Sequence, residues 1–144
     1  MTPREQLLAY VASSDVPTDP IRIMKGLFLF TEWTKEGRVP QPSDVFKFRP
    51  MSYGPCSPAI YEDLDALVKN RLIEVSPVPG QSWSRYRATP DGKRQLLEII
   101  EKDAESVSWI ERLRTWCDGL SFADLLKAVY AEYPAYAVNS VFKS

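Results

Sequence analysis

Two cysteines and no histidine bound the chemistry open to this 144-residue chain. Cys56 and Cys117 lack CxxC spacing, and without histidine a zinc site would need carboxylates to complete it, an unusual donor set. The commonest general base is missing as well. Cys56 stands just ahead of an expected helix start, where the dipole favours a thiolate. No base or orienting group accompanies it, and a free cysteine more ordinarily serves as small apolar filler. Cys117 reads the same way. The nineteen Asp and Glu residues form no pair at a spacing that would mark acid–base catalysis. No catalytic residue, metal site or cofactor is expected, and the chain reads as one that binds rather than catalyses.

The residues suited to binding fall in two groups. Between Arg71 and Arg94, the five cations Arg71, Arg85, Arg87, Lys93 and Arg94 outnumber Glu74 and Asp91, a local charge of +3. Strand alternation places Arg85 and Arg87 on one face opposite Tyr86, where they would add affinity for a phosphate backbone without reading sequence. The same charges also fit a solvated hairpin face balancing Glu98, Glu101, Asp103 and Glu105. Upstream, Ser57-Pro58 opens a helix bearing Tyr61, Glu62 and Asp63. Acids there would oppose phosphates, though they suit the positive end of a helix. The expected duplex contacts are Tyr61, Lys69, Arg85, Arg87 and Lys93. The second group is aromatic: Trp109, Trp116, Tyr130 and Tyr133 exceed what a small core needs and are expected to form a dimer or partner interface. Trp83, near a hairpin tip, is expected to fold back onto the domain.

Thr2-Pro3 caps a first helix with Leu7, Leu8 and Val11 on one face. Asp19-Pro20 opens a second, running to about Lys35 and apolar nearly all round, as a central helix is. Residues 38–55 hold too many prolines for a long helix, Pro42 among them. Val45, Phe46 and Phe48 are expected as a brief extended piece and Tyr53-Gly54-Pro55 as a sharp turn. A third helix from Pro58 to about Arg71 buries Ile60, Leu64, Leu67 and Val68. Leu72–Val75 and Trp83–Arg87 alternate as strands across a Pro77–Gln81 turn. Thr89-Pro90-Asp91-Gly92 leads into a helix with Leu96, Leu97 and Ile100 inward, followed by helices over Ser106–Cys117 and Ser121–Tyr133. The expected fold is mainly α with a small β-hairpin: a winged helix-turn-helix with extra C-terminal helices. Residues 1–105 would form the winged domain and residues 106–144 a helical extension packed on it.

The string Tyr53-Gly54-Pro55-Cys56-Ser57, with Tyr61-Glu62-Asp63-Leu64, Leu67 and Arg71-Leu72-Ile73-Glu74, resembles the YwgA-like bacterial proteins and the SocA-like (Panacea) antitoxins. Lys25 and Leu27-Phe28-Leu29 in the preceding helix, and Tyr133-Pro134 with Asn139-Ser140 in the tail, extend the likeness loosely over residues 20–140. Arg85–Gly92 is similar to the wing of PadR-type regulators, but with proline after the threonine. The resemblance implies a winged helix in a regulatory or toxin-neutralising setting. The expected function is a DNA-binding transcriptional regulator, because a winged helix with a basic wing most often meets DNA; the alternative is a protein-interaction module such as an antitoxin or defence-associated adaptor without DNA binding. The net charge of −1 and pI of about 5.5 confine any DNA contact to a local patch. Without a signal core or a membrane-length apolar run, a cytoplasmic, bacterial-type protein is expected.

Overall fold

A computed structural model describes residues 1–40 and 44–141; Pro42 lies outside them. The described chain is mainly helical. Its elements are α1 (Pro3–Ala12), α2 (Pro20–Lys35), β1 (Arg49–Met51), β2 (Gly54–Cys56), α3 (Pro58–Lys69), β3 (Ile73–Pro77), β4 (Ser84–Ala88), α4 (Pro90–Asp118) and α5 (Phe122–Glu132), followed by a 3-10 turn over Pro134–Ala137. No helix among the described residues is long and apolar enough to cross a membrane.

Thr2 and Glu5 start α1 with a reciprocal capping box: the Glu5 N–H donates to Thr2 Oγ1 (3.2 Å) and the Thr2 N–H to Glu5 Oε1 (2.9 Å). Beyond that first turn α1 is buried on every side, from Gln6 to Ala12, and not only along Leu7, Leu8 and Val11. Helices α2, α3 and α4 and strand β4 all pack on it. Helix α2 approaches closely because Gly26 has no side chain. A Cβ there would lie 2.3 Å from Tyr10 Cε2, and the Tyr10 hydroxyl donates to the Arg22 carbonyl at 3.0 Å.

Helix α1 ends inside the protein, so its last carbonyls need donors from elsewhere. Arg114 on α4, 1% exposed, supplies most of them. Its Nη1 donates to the carbonyls of Tyr10 and Val11, both at 2.9 Å, and its Nη2 to the Val16 carbonyl. Asp118 Oδ2 accepts from Nε at 2.8 Å and balances the charge. Lys93 Nζ donates to the Ala12 carbonyl at 2.8 Å. Cations are favoured at this end of the helix dipole as well.

The chain leaving α1 then pairs with the outer edge of β4. Thr18 and Tyr86 exchange both backbone hydrogen bonds, at 2.9 and 2.7 Å. Strands β3 and β4 are antiparallel, from Ile73 opposite Ala88 to Pro77 opposite Ser84. A ribbon ordered Thr18–β4–β3 results.

Three local features differ from the sequence expectation. Val45, Phe46 and Phe48 form no strand; Phe46 is buried and Phe48 packs edge-on against Phe28. The Tyr53-Gly54-Pro55 turn belongs to a second hairpin, β1–β2, with Pro50 opposite Pro55 and Gly54 at φ 89°. In α4, Ile99 is buried while Leu97 faces solvent. The expected break after Ile100 is a kink at Asp103 (φ −156°, ψ 72°), whose carboxylate accepts from the Ser106 N–H as an internal cap.

Helix α3 closes with paired bonds from Leu72 N–H to the Leu67 carbonyl and from Arg71 N–H to the Val68 carbonyl. Arg71 occupies the left-handed position that glycine normally fills (φ 60°). Replacing Arg114 by methionine strands the Val11 and Val16 carbonyls and the Asp118 charge, and leaves the Tyr10 carbonyl with only the Ser13 hydroxyl (3.0 Å). It should lower stability by about 3–5 kcal/mol in urea denaturation.

Candidate functional site

Helix α3 presents Tyr61, Glu62, Asp65 and Lys69 to solvent, and buries Ile60, Leu64 and Leu67. The expected placement of Glu62 and Asp63 in its first turn is corrected by the structure. That turn is Pro58-Ala59-Ile60 and holds no acid. The Ser57 side chain makes no capping bond, although the residue occupies the N-cap. Asp63 instead accepts from Arg4 Nε and Nη2 at 3.2 and 3.1 Å, tying α3 to α1.

On the hairpin, Arg85 and Arg87 are both exposed and flank the half-buried Tyr86, as alternation requires. Arg87 stands opposite Glu74 and grips one of its carboxylate oxygens with Nε (3.0 Å) and Nη2 (2.6 Å). Lys93 belongs to the α1 cap: besides the Ala12 carbonyl it holds Asp15 at 2.8 Å, which lowers the Asp15 carboxyl below its ordinary value. Lys47, Arg49, Lys69, Arg71 and Arg85 are exposed and have no ion-pair partner among the described residues. Trp83 does not fold back. It is 41% exposed on the segment between β3 and β4.

The aromatic residues of the C-terminal helices separate into two pairs. Trp109 and Trp116 line a groove of about 380 Å³ with Leu29, Trp33, Leu113 and Glu132. Trp33 and Trp109 meet edge to face at 6.2 Å, and the guanidinium groups of Arg38 and Arg112 cover the Trp33 and Trp109 rings. Trp116 is 42% exposed at this groove. Tyr130 and Tyr133, like Trp109, are partly buried against the core. Tyr133 donates its hydroxyl to Glu36 Oε2 at 2.6 Å and lies edge-on to Phe28. Trp33 and Arg114 escaped sequence reasoning because Trp109 and the Tyr10, Val11 and Val16 carbonyls are distant from them in the chain, whereas Arg112 lies only three residues from Trp109.

Burial pushes Cys117 up to about 12, and the half-buried Cys56 is raised for the same reason. No cluster of three His, Cys, Asp or Glu residues able to hold a metal occurs among the described residues. No protein-family model matches this chain, and no curated protein is significantly similar to it.

The two kinds of cation are separable by stability. Lys93→Met leaves the Ala12 carbonyl without its side-chain donor and should cost about 1–2 kcal/mol. Arg85→Ala should stay within about 0.5 kcal/mol of the parent in the same urea titration.

Proposed function

We propose that the chain is a winged-helix module that engages a protein partner through the outer face of α3 and the β3–β4 hairpin. The element order supports the winged-helix reading: α1, the Thr18 edge, α2, α3, then the β3–β4 hairpin. The likeness of its Tyr-Gly-Pro segment to YwgA-like and SocA-like proteins points the same way and supplies the toxin-neutralising context.

Charge carries the choice of partner. The exposed face of α3 sets Glu62 and Asp65 against Lys69. Of the four cations expected to meet DNA, Arg87 is engaged by Glu74 and Lys93 by Asp15. A polyanion would meet carboxylates where a recognition helix normally enters the major groove. Tyr61 on α3, Tyr53 in the β1–β2 turn, Val75 on β3 and Trp83 in the β3–β4 loop are large apolar groups left partly in solvent. Aromatic anchors within a mixed-charge rim are the composition of protein interfaces. Segment 36–57, with its own hairpin, also separates α2 from α3, where helix-turn-helix proteins use a turn of about three to four residues.

One observation favours the duplex reading, that of a DNA-binding regulator. Lys47, Arg49, Lys69, Arg71 and Arg85 have no ion-pair partner among the described residues and lie on or beside α3 and the hairpin. The two readings part in a single pair of assays. In fluorescence anisotropy at low salt, a random duplex should show no saturable binding below about 10 µM, within the range of ordinary non-specific affinity. The product of the adjacent reading frame should co-purify with the chain, and Tyr61→Asp with Trp83→Asp should weaken that complex at least tenfold (about 1.4 kcal/mol). Tight duplex binding that collapses with salt and with Arg85→Ala and Arg87→Ala, with no co-purifying neighbour, would overturn the proposal.

A further inference from the structure

Lys25, in the middle of α2, is 2% exposed, yet it makes no ion pair among the described residues. Its ammonium donates to the Pro55 carbonyl at 3.1 Å and has no other hydrogen-bond acceptor among those residues. An ammonium carries three N–H donors, so two are left over. A buried cation so poorly compensated is costly, and proteins normally give it a carboxylate or further acceptors. Lys25 also lines a cavity of about 250 Å³ that opens between α2, the β1–β2 hairpin and α3. Its other walls are mostly apolar: Ile21, Met24, Met51, Gly54 and the ring of Tyr61. Met51, Tyr53 and Tyr61 are partly exposed around it.

We propose that this cavity binds a small hydrophobic monocarboxylate, whose oxygens take the two N–H groups of Lys25 that the protein leaves unpaired. One uncompensated positive charge matches one negative charge, and the apolar walls match a short aliphatic or aromatic body. A phosphate dianion would bring more charge than this site offsets. The site adjoins the partner surface through Tyr61 but does not depend on it.

Burial lowers Lys25 to about 8, opposed by Cys56, then Asp19 and Cys117. The other titratable groups nearby are Tyr53 and Tyr61 on the cavity and Tyr130 of α5, packed beside Gly54. At pH 7 the amine is therefore mainly charged and able to receive an anion.

Sodium benzoate and its neutral isostere benzamide are the probes, titrated into the whole chain and followed by amide NMR shifts. Benzoate should give saturable shifts at Lys25, Gly54 and Cys56 and bind at least tenfold tighter than benzamide. Above pH 8 benzoate affinity should fall, approaching roughly tenfold per pH unit, while benzamide affinity stays level. Lys25→Met should abolish the preference for benzoate. The pH series on the unmodified chain tests the same point should that variant not fold. Equal affinity for both probes, an absence of saturable shifts, or a benzoate affinity indifferent to pH would overturn the proposal. Acetyl-Ala-Phe with a free carboxylate is the third probe. Its binding in preference to benzoate would overturn the small-molecule assignment in favour of a chain terminus.

Discussion

A helix that ends in the interior of a protein must find donors for its last carbonyls, and here two cations on one distant helix supply them, the Ser13 hydroxyl sharing the Tyr10 carbonyl. Arg114 and Lys93, at opposite ends of α4, close the Tyr10, Val11 and Ala12 carbonyls of α1. Arg114 also takes the Val16 carbonyl, so the segment leaving α1 is held before it reaches β4. Thr18 then carries that constraint to Tyr86 and into the hairpin. The core and the kinked α4 thus meet at one desolvated guanidinium, which a carboxylate and three carbonyls together compensate, and the β3–β4 ribbon is joined to it through residues 16–18.

Lys25 is the counterpart that shows what compensation means. Both side chains are cationic and almost wholly buried, but among the described residues Arg114 has four acceptors and Lys25 one. The first serves the fold completely. The second secures the Pro55 carbonyl of β2 and retains donor capacity beside a cavity. The outer cations behave differently again, since at the surface a pair such as Arg87–Glu74 contributes little to stability but decides what approaches the hairpin.

Helix starts were legible from local chemistry: Thr2, Asp19, Thr89 and Ser121 each accept the backbone N–H three residues on, and proline follows the first three. The same signal at Ser57 correctly located a helix but not a capping bond, because proline at the first position marks the start on its own. Alternation revealed β3 and β4. It missed β1 and β2, where Pro50 faces Pro55 and the usual strand signals are absent. The burial of α1 was hidden by Gln6 and Tyr10, polar residues whose partners, the Asp44 and Arg22 carbonyls, lie in other segments. Lys93 looked like a surface cation for a related reason: its acceptor is 81 residues away. Short-range pattern predicts elements; it does not reveal which charges they will use on each other.

Hydrogen exchange on the Arg114→Met chain, under conditions where it remains folded, tests most directly whether that buried guanidinium couples α1 to the hairpin. The coupling predicts that protection falls together at the last turn of α1 and at the Thr18 and Tyr86 amides, while α5 keeps its own. Loosening confined to α1, with Thr18 and Tyr86 exchanging as slowly as in the parent, would contradict it.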